Sequence, residues 1–152
     1  MAPSKLRILS SLDDVPPGQW DALAGSSPFL RHAFLHGLEQ TGCVAPDTGW
    51  TPRHITLWEG GRLQGAMPLY LKSHSYGEYV FDWGWAEAYQ RHGLRYYPKL
   101  LCAVPFTPAT GPRLLAPSPE LRRRLLDAAF ALAAEQRASS LHILLPPETQ
   151  VR

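Results

Sequence analysis

The sequence predicts an α+β domain with elements in the order β-α-α-β-β-(α)-β-α-β. Two strand-like segments, residues 53–59 and 62–71, flank Gly60-Gly61, and two consecutive glycines that can both take positive φ make a tight hairpin turn. A long segment opening at Ser118-Pro119 carries Leu121, Leu125, Ala129 and Leu132 at helical spacing. A short apolar run, residues 141–145, follows it and reads as a last strand.

From the N-terminus, Leu6 and Ile8 alternate with polar neighbours over residues 5–10 and predict the first strand. Residues 15–24 predict a short helix: Pro16-Pro17 open it, Trp20 and Leu23 share a face, and Gly25 stops it. Ser27-Pro28 offers a capping hydroxyl and a proline at the first helical position. Leu30, Phe34 and Leu38 then recur every four residues until Gly42. In the hairpin, Ile55 and Leu57 share a face, and Leu63, Met67, Leu69 and Leu71 are expected to continue one inward face. Pro68 lacks an N–H, so an edge, a bulge or a splayed strand is expected there. Residues 83–92 predict a short helix, 100–104 a buried strand and 118–136 the long helix. Six prolines between Pro98 and Pro119 make that stretch rigid and extended.

The length of 152 residues fits a single domain with one core. A net charge of +2 with dispersed basic residues is too small to argue for DNA, and Arg122-Arg123-Arg124 on the long helix reads as a solvated face. No apolar run approaches the ~20 residues of a membrane span. The N-terminus lacks the apolar stretch of a signal peptide, so a cytoplasmic protein is expected. Cys43 and Cys102 are too few for a disulfide framework or a zinc site and are expected as free, buried thiols. His32 and His36, four apart, read as helix-surface histidines, and no metal site is expected. The chain ends seven residues beyond residue 145, close behind a strand that normally needs neighbours on both sides, which suggests a fragment of something longer. An open sheet edge would also suit a homodimer.

The sequence contains no G-x-G-x-x-G, Walker loop, G-x-S-x-G or H-E-x-x-H. Its chemistry is concentrated in residues 70–86, where Lys72, His74, Glu78 and Asp82 are interleaved with aromatic rings. Residues 70–97 hold nine of the sixteen Phe, Trp and Tyr side chains. Rings mixed with titratable groups line substrate clefts. His74, or Glu78 with its pKa raised by the surrounding rings, is the candidate proton acceptor. Tyr76, Tyr79 and Trp83 are candidate cleft walls. Glu78 and Asp82 have a purely structural alternative, pairing with Lys72 and Arg91. The segment 106–113 follows a buried strand, so Thr107, Thr110 and Arg113 are candidates for gripping a phosphate or carboxylate, with Lys99 as a further anion contact.

Several stretches together resemble the FemAB-like proteins of peptidoglycan biosynthesis or recognition. They are Ser27-Pro-Phe-Leu-Arg-His-Ala-Phe-Leu35, Gly49-Trp-Thr-Pro-Arg-His54, residues 68–82, Tyr96-Tyr-Pro-Lys-Leu100, and Val104-Pro-Phe-Thr-Pro108 with Thr110-Gly-Pro-Arg113. The resemblance covers nearly the whole chain. It implies a GNAT-like α/β/α fold with a central mixed, mainly antiparallel sheet, and this chain as the N-terminal half of a two-domain protein. It also implies transfer of an acyl or aminoacyl group, from acetyl-CoA or aminoacyl-tRNA, to an amine on a small-molecule or peptidoglycan-precursor substrate. The alternative is a non-catalytic module that recognises a muropeptide or a protein. One departure stands out: GNAT domains carry a glycine-rich pyrophosphate loop, and here residues 106–113 contain a single glycine.

Overall fold

The computed structural model describes residues 4–80 and 82–151. Phe81, part of the aromatic run, lies outside the described residues, as do residues 1–3 and 152. In chain order the elements are β1 (Lys5–Leu9), α1 (Pro17–Ala24), α2 (His32–Gln40), β2 (Trp50–Pro52), β3 (His54–Glu59), β4 (Arg62–Met67), β5 (Leu69–Lys72), α3 (Trp83–Arg91), β6 (Lys99–Cys102), α4 (Pro119–Glu135) and β7 (Leu141–Ile143). The α+β class is the one the sequence predicts. No helix among the described residues is long and apolar enough to cross a membrane.

Two sheets share one long hairpin. One sheet runs β1-β3-β4 and is antiparallel; the other runs β2-β5-β6-β7 and is antiparallel except for the parallel β6–β7 pair. β2 and β3 form one arm of the hairpin, β4 and β5 the other. The pairings Trp50–Lys72 and Ile55–Met67 keep one register, stepping inward equally on both arms. The expected single strand 62–71 is therefore interrupted at Pro68, where the missing N–H breaks the ladder and the chain passes from one sheet to the next. β2 was not foreseen; as three residues rich in ring and β-branched side chains beside a proline, it shows no alternation long enough to read.

Strand parity sets the layers, because successive side chains point to opposite faces. Ile55, Leu57, Met67, Leu69, Leu100 and Cys102 face α4 and pack on Leu125, Ala129 and Leu132. Leu125 is fully buried at this contact, and its truncation to Ala would cost about 2–5 kcal/mol. On the other face, α1, α2 and the turn between them cover the β3–β4 end through Trp20, Leu35 and Leu30, which pack with Trp58. A bulge pairs Leu57 with Gly65 but Trp58 with Leu63, turning Leu63 to the Trp20 side. The one inward face expected for Leu63, Met67, Leu69 and Leu71 is thus split between two faces.

The long helix begins as predicted, with Ser118 Oγ accepting from the Leu121 N–H at 3.2 Å and Pro119 in the first turn. The helix expected from Ser27 does not run through. Pro28–Leu30 is a single 3-10 turn, Arg31 is extended, and Ser27 makes no side-chain cap. α2 starts at His32, whose N–H donates to Asp21 Oδ1 of α1 at 2.8 Å, so its cap is tertiary. Cys102 is buried as expected, whereas Cys43 is exposed in the turn after α2, a correction to the expectation of two buried thiols. His32 is also buried, its Nε2 bonded to the Leu12 carbonyl at 2.9 Å, while the half-buried His36 meets Asp13.

Candidate functional site

The face left uncovered by α1 and α2 carries a row of side chains set by register. Trp50 of β2 pairs with Lys72 of β5, and Lys72 pairs with Lys99 of β6. Both lysines are fully buried. Like charges on adjacent strands repel, and two buried ammonium groups would be untenable without counter-ions. The loop that follows β5 supplies them. Lys99 Nζ donates to Glu78 Oε1 at 2.8 Å, to Asp82 Oδ2 at 2.5 Å and to Ser75 Oγ at 3.0 Å. Lys72 Nζ donates to the Tyr76 carbonyl at 2.9 Å, lies 3.9 Å from Glu78 Oε2, and sits 3.7 Å above the Trp50 ring, a close cation–π contact. Two cations and two anions make the cluster neutral in sum. The structural alternative named Arg91 as a partner of Glu78 or Asp82. Arg91 pairs instead with Glu87, and Lys99 is the main partner of both carboxylates.

The four charges respond differently to burial. Burial raises the Glu78 carboxyl above its ordinary value, against the pull of Lys99 and Lys72. For Asp82, burial is outweighed by hydrogen bonds from Lys99, Tyr96 and Ser75, and the carboxyl is brought down to about 2. Burial lowers Lys72 to about 8, opposed by the charge of Glu78 and assisted by that of Lys99. Asp82 is thus a fixed anion, whereas Glu78 and Lys72 both lean toward their neutral forms.

Asp82 connects this cluster to open space. Its Oδ2 also accepts from the Tyr96 hydroxyl at 2.6 Å, while its Oδ1 is buried and has no hydrogen-bond partner among the described residues. It lines a cleft of about 400 Å³ together with Val80, Trp85, Tyr89, Tyr96, Ser140, His142 and Leu144. Trp85 is 68 % exposed at this cleft. A carboxylate that lines an aromatic cleft and has an oxygen still free to accept is a natural counter-ion for an ammonium or other N–H donor.

The residues singled out from sequence divide into three groups. Lys72, Glu78, Asp82 and Lys99 come together in the cluster. Tyr76, Tyr79 and Trp83 lie nearby on the surface as exposed rings, Tyr76 in tilted contact with Trp83 at 5.2 Å between centroids. His74 packs edge-on against Tyr76, and its Nδ1 accepts from the Tyr76 N–H at 3.2 Å. Its ring also fills the space where a Cβ on Gly49 would stand. Burial and Lys72 lower its pKa, while a hydrogen bond with the Thr48 backbone works the other way. Thr107 and Arg113 lie apart from the cluster. Thr107 Oγ1 donates to the Pro105 carbonyl at 3.1 Å. The buried Arg113 donates through Nε, Nη1 and Nη2 to the carbonyls of Leu144, Gly111, Pro112 and Ala109, tying the 106–113 segment to the residue after β7.

Ser75, Tyr96, Ser140 and His142 escaped the sequence reading. For the last two a signal exists: in Ser140-Leu-His-Ile143, polar and apolar residues alternate, which marks one face of the strand as unlike the other. No curated protein and no solved structure matches the chain. Residues 11–152 match the model of the FemAB-like family, described as peptidoglycan biosynthesis/recognition. The match takes in almost the whole chain, including every strand of the cluster face and the cleft, and the protein is a member of the FemAB-like family.

Proposed function

We propose that this chain forms the acceptor side of a GNAT- or Fem-type transferase, which moves an acyl or aminoacyl group onto an amine of a peptidoglycan precursor in the cytoplasm. The observation that carries the reading is Asp82: an anionic carboxylate, fixed by Lys99 and Tyr96, lines an aromatic cleft with one oxygen unpartnered. The acceptor's ammonium pairs with the Asp82 carboxylate, and the rings of Trp85 and Tyr89 cover the rest of the ligand. Glu78 serves by orientation: it holds Lys99, and Lys99 holds Asp82. Tyr76, Tyr79 and Trp83 extend the aromatic surface beside the cleft, and acetyl-CoA or aminoacyl-tRNA supplies the group transferred.

Calorimetric titration with a nucleotide-linked muropeptide tests the reading, using one form with a free side-chain amine and one with that amine acetylated. The free amine should bind at least about tenfold more tightly, the scale of one charged hydrogen bond, and Asp82→Asn should erase the difference. Equal binding of both forms by the native protein would end the acceptor reading.

A second reading, recognition without catalysis, is favoured by one observation. The guanidinium of Arg113 is spent on main-chain carbonyls, so the 106–113 segment holds its shape with the residue expected to grip a donor's phosphate. Precursor binding with no binding of acetyl-CoA or aminoacyl-tRNA would support it.

A further inference from the structure

We propose that His142 is the proton acceptor for the amine held at Asp82, with Ser140 and Ser139 as positioning residues that set its tautomer; this rests on the acceptor reading above. β7 alternates, so Leu141 and Ile143 pack toward α4 while Ser140, His142 and Leu144 line the cleft. His142 and Asp82 therefore share one cavity, with the Tyr96 ring edge-on to His142 at 6.4 Å between centroids.

A chain of hydrogen bonds directs the imidazole proton. The Tyr96 carbonyl can only accept, so the Ser139 hydroxyl donates to it. With that proton committed, the Ser139–Ser140 contact at 3.4 Å has Ser140 as donor. Ser140 then has no proton for the ring, and the 2.8 Å contact to His142 is a donation from Nε2–H to Ser140 Oγ. Nδ1 is left with its lone pair, which is what a base requires.

The charged groups facing the ring are Lys99 of β6 and Asp82 of the preceding loop; Tyr89 of α3 and Tyr96 complete its titratable surroundings in the cleft. Burial and Lys99 hold the imidazole below its ordinary pKa, against Asp82, so it is neutral and basic at pH 7. In the step, an N–H bond of the ammonium breaks, the electron pair stays on nitrogen, and the proton passes to Nδ1. The neutral amine adds to the carbonyl carbon of a thioester or oxygen-ester donor. The C–S or C–O bond then breaks with its electrons on the leaving group, which takes the second proton from the nitrogen. The imidazolium returns its proton to solvent.

The test follows affinity for the free-amine muropeptide from pH 5 to pH 8 in the native protein and in His142→Gln, alongside an NMR titration of the native His142 ring with and without ligand. Native affinity should fall as the pH drops toward 5, because an imidazolium repels the ammonium. The variant should show a flat profile, and bound amine should lower the native ring's pKa. Parallel profiles in the two proteins, or a ring titration that ligand leaves unmoved, would overturn the assignment while leaving the acceptor reading intact. Failure of the native protein to bind the free amine in preference to its acetylated form would remove both. The NMR arm needs no variant, so misfolding of His142→Gln cannot obscure the answer.

Discussion

Replacing Lys99 by Met is the sharpest perturbation of the buried cluster. The change keeps an unbranched side chain, one atom shorter, and deletes one charge, which leaves Glu78 and Asp82 buried with Lys72 alone, 3.9 Å from Glu78. At 2.8 Å, and at an effective dielectric constant of about 20, the lost Lys99–Glu78 attraction is about 6 kcal/mol before solvation is counted. The attraction to Asp82 at 2.5 Å is slightly larger. Desolvation of the ammonium offsets much of both, and removing one partner of a buried pair costs about 3–5 kcal/mol net. That is a large share of a total stability of about 5–15 kcal/mol. The loss must also depend on pH. Without Lys99 the folded-state pKa values of both carboxyls rise above their unfolded values, so the penalty is full at neutral pH and shrinks as pH falls through the raised values. Urea unfolding of Lys99→Met at pH 7 and pH 5 measures both effects, and adding Glu78→Gln should recover part of the pH 7 loss. Lys72→Met should cost less, since Lys72 has one backbone hydrogen bond and a longer ion pair. A pH 7 loss below about 1 kcal/mol, or one that does not shrink at pH 5, would refute the reasoning.

Three further outcomes are expected. Because Asp82 is held at about 2 in the fold and nearer 3.8 when unfolded, its contribution is complete above about pH 4 and disappears as pH falls toward 2; the stability difference between native protein and Asp82→Asn should narrow over that range in acid unfolding curves. Gly49→Ala should lose about 1–3 kcal/mol in thermal unfolding, because Gly49 sits at φ +83° and its new Cβ would meet the His74 ring. Thiol titration should find Cys43 reactive in the native protein and Cys102 only after denaturation, since Cys43 is exposed and burial pushes the Cys102 thiol up to about 12.

Much of the fold was legible because its signals are local. The glycine pair at 60–61, the cap at Ser118 and the stripe Leu121–Leu125–Ala129–Leu132 each depend on residues within a few turns of one another. The errors came where a distant residue intervened. Asp21, from another helix, starts α2 at His32, so the nearby Ser27-Pro28 signal misled. The bulge at Leu57–Trp58 turned Leu63 over, and a bulge depends on how two strands meet. The site was half legible: the run from residue 70 to 86 pointed to Lys72, Glu78 and Asp82. It said nothing of Ser140 and His142, which lie at a strand far along the chain and carry only a short alternation as their signal.

The sequence by itself determined most of the element types, the α+β class, and the stretch that would carry the charged and aromatic side chains, because periodicity and turn chemistry are written in neighbouring residues. Tertiary structure alone decided that Lys72 and Lys99 stand side by side, that Glu78 and Asp82 neutralise them, and that His142 shares a cleft with Asp82. Those juxtapositions follow from cross-strand register between segments far apart in the chain. Register is fixed by burying one whole face of the sheet against α4, a choice made by the fold as a whole rather than by any single strand.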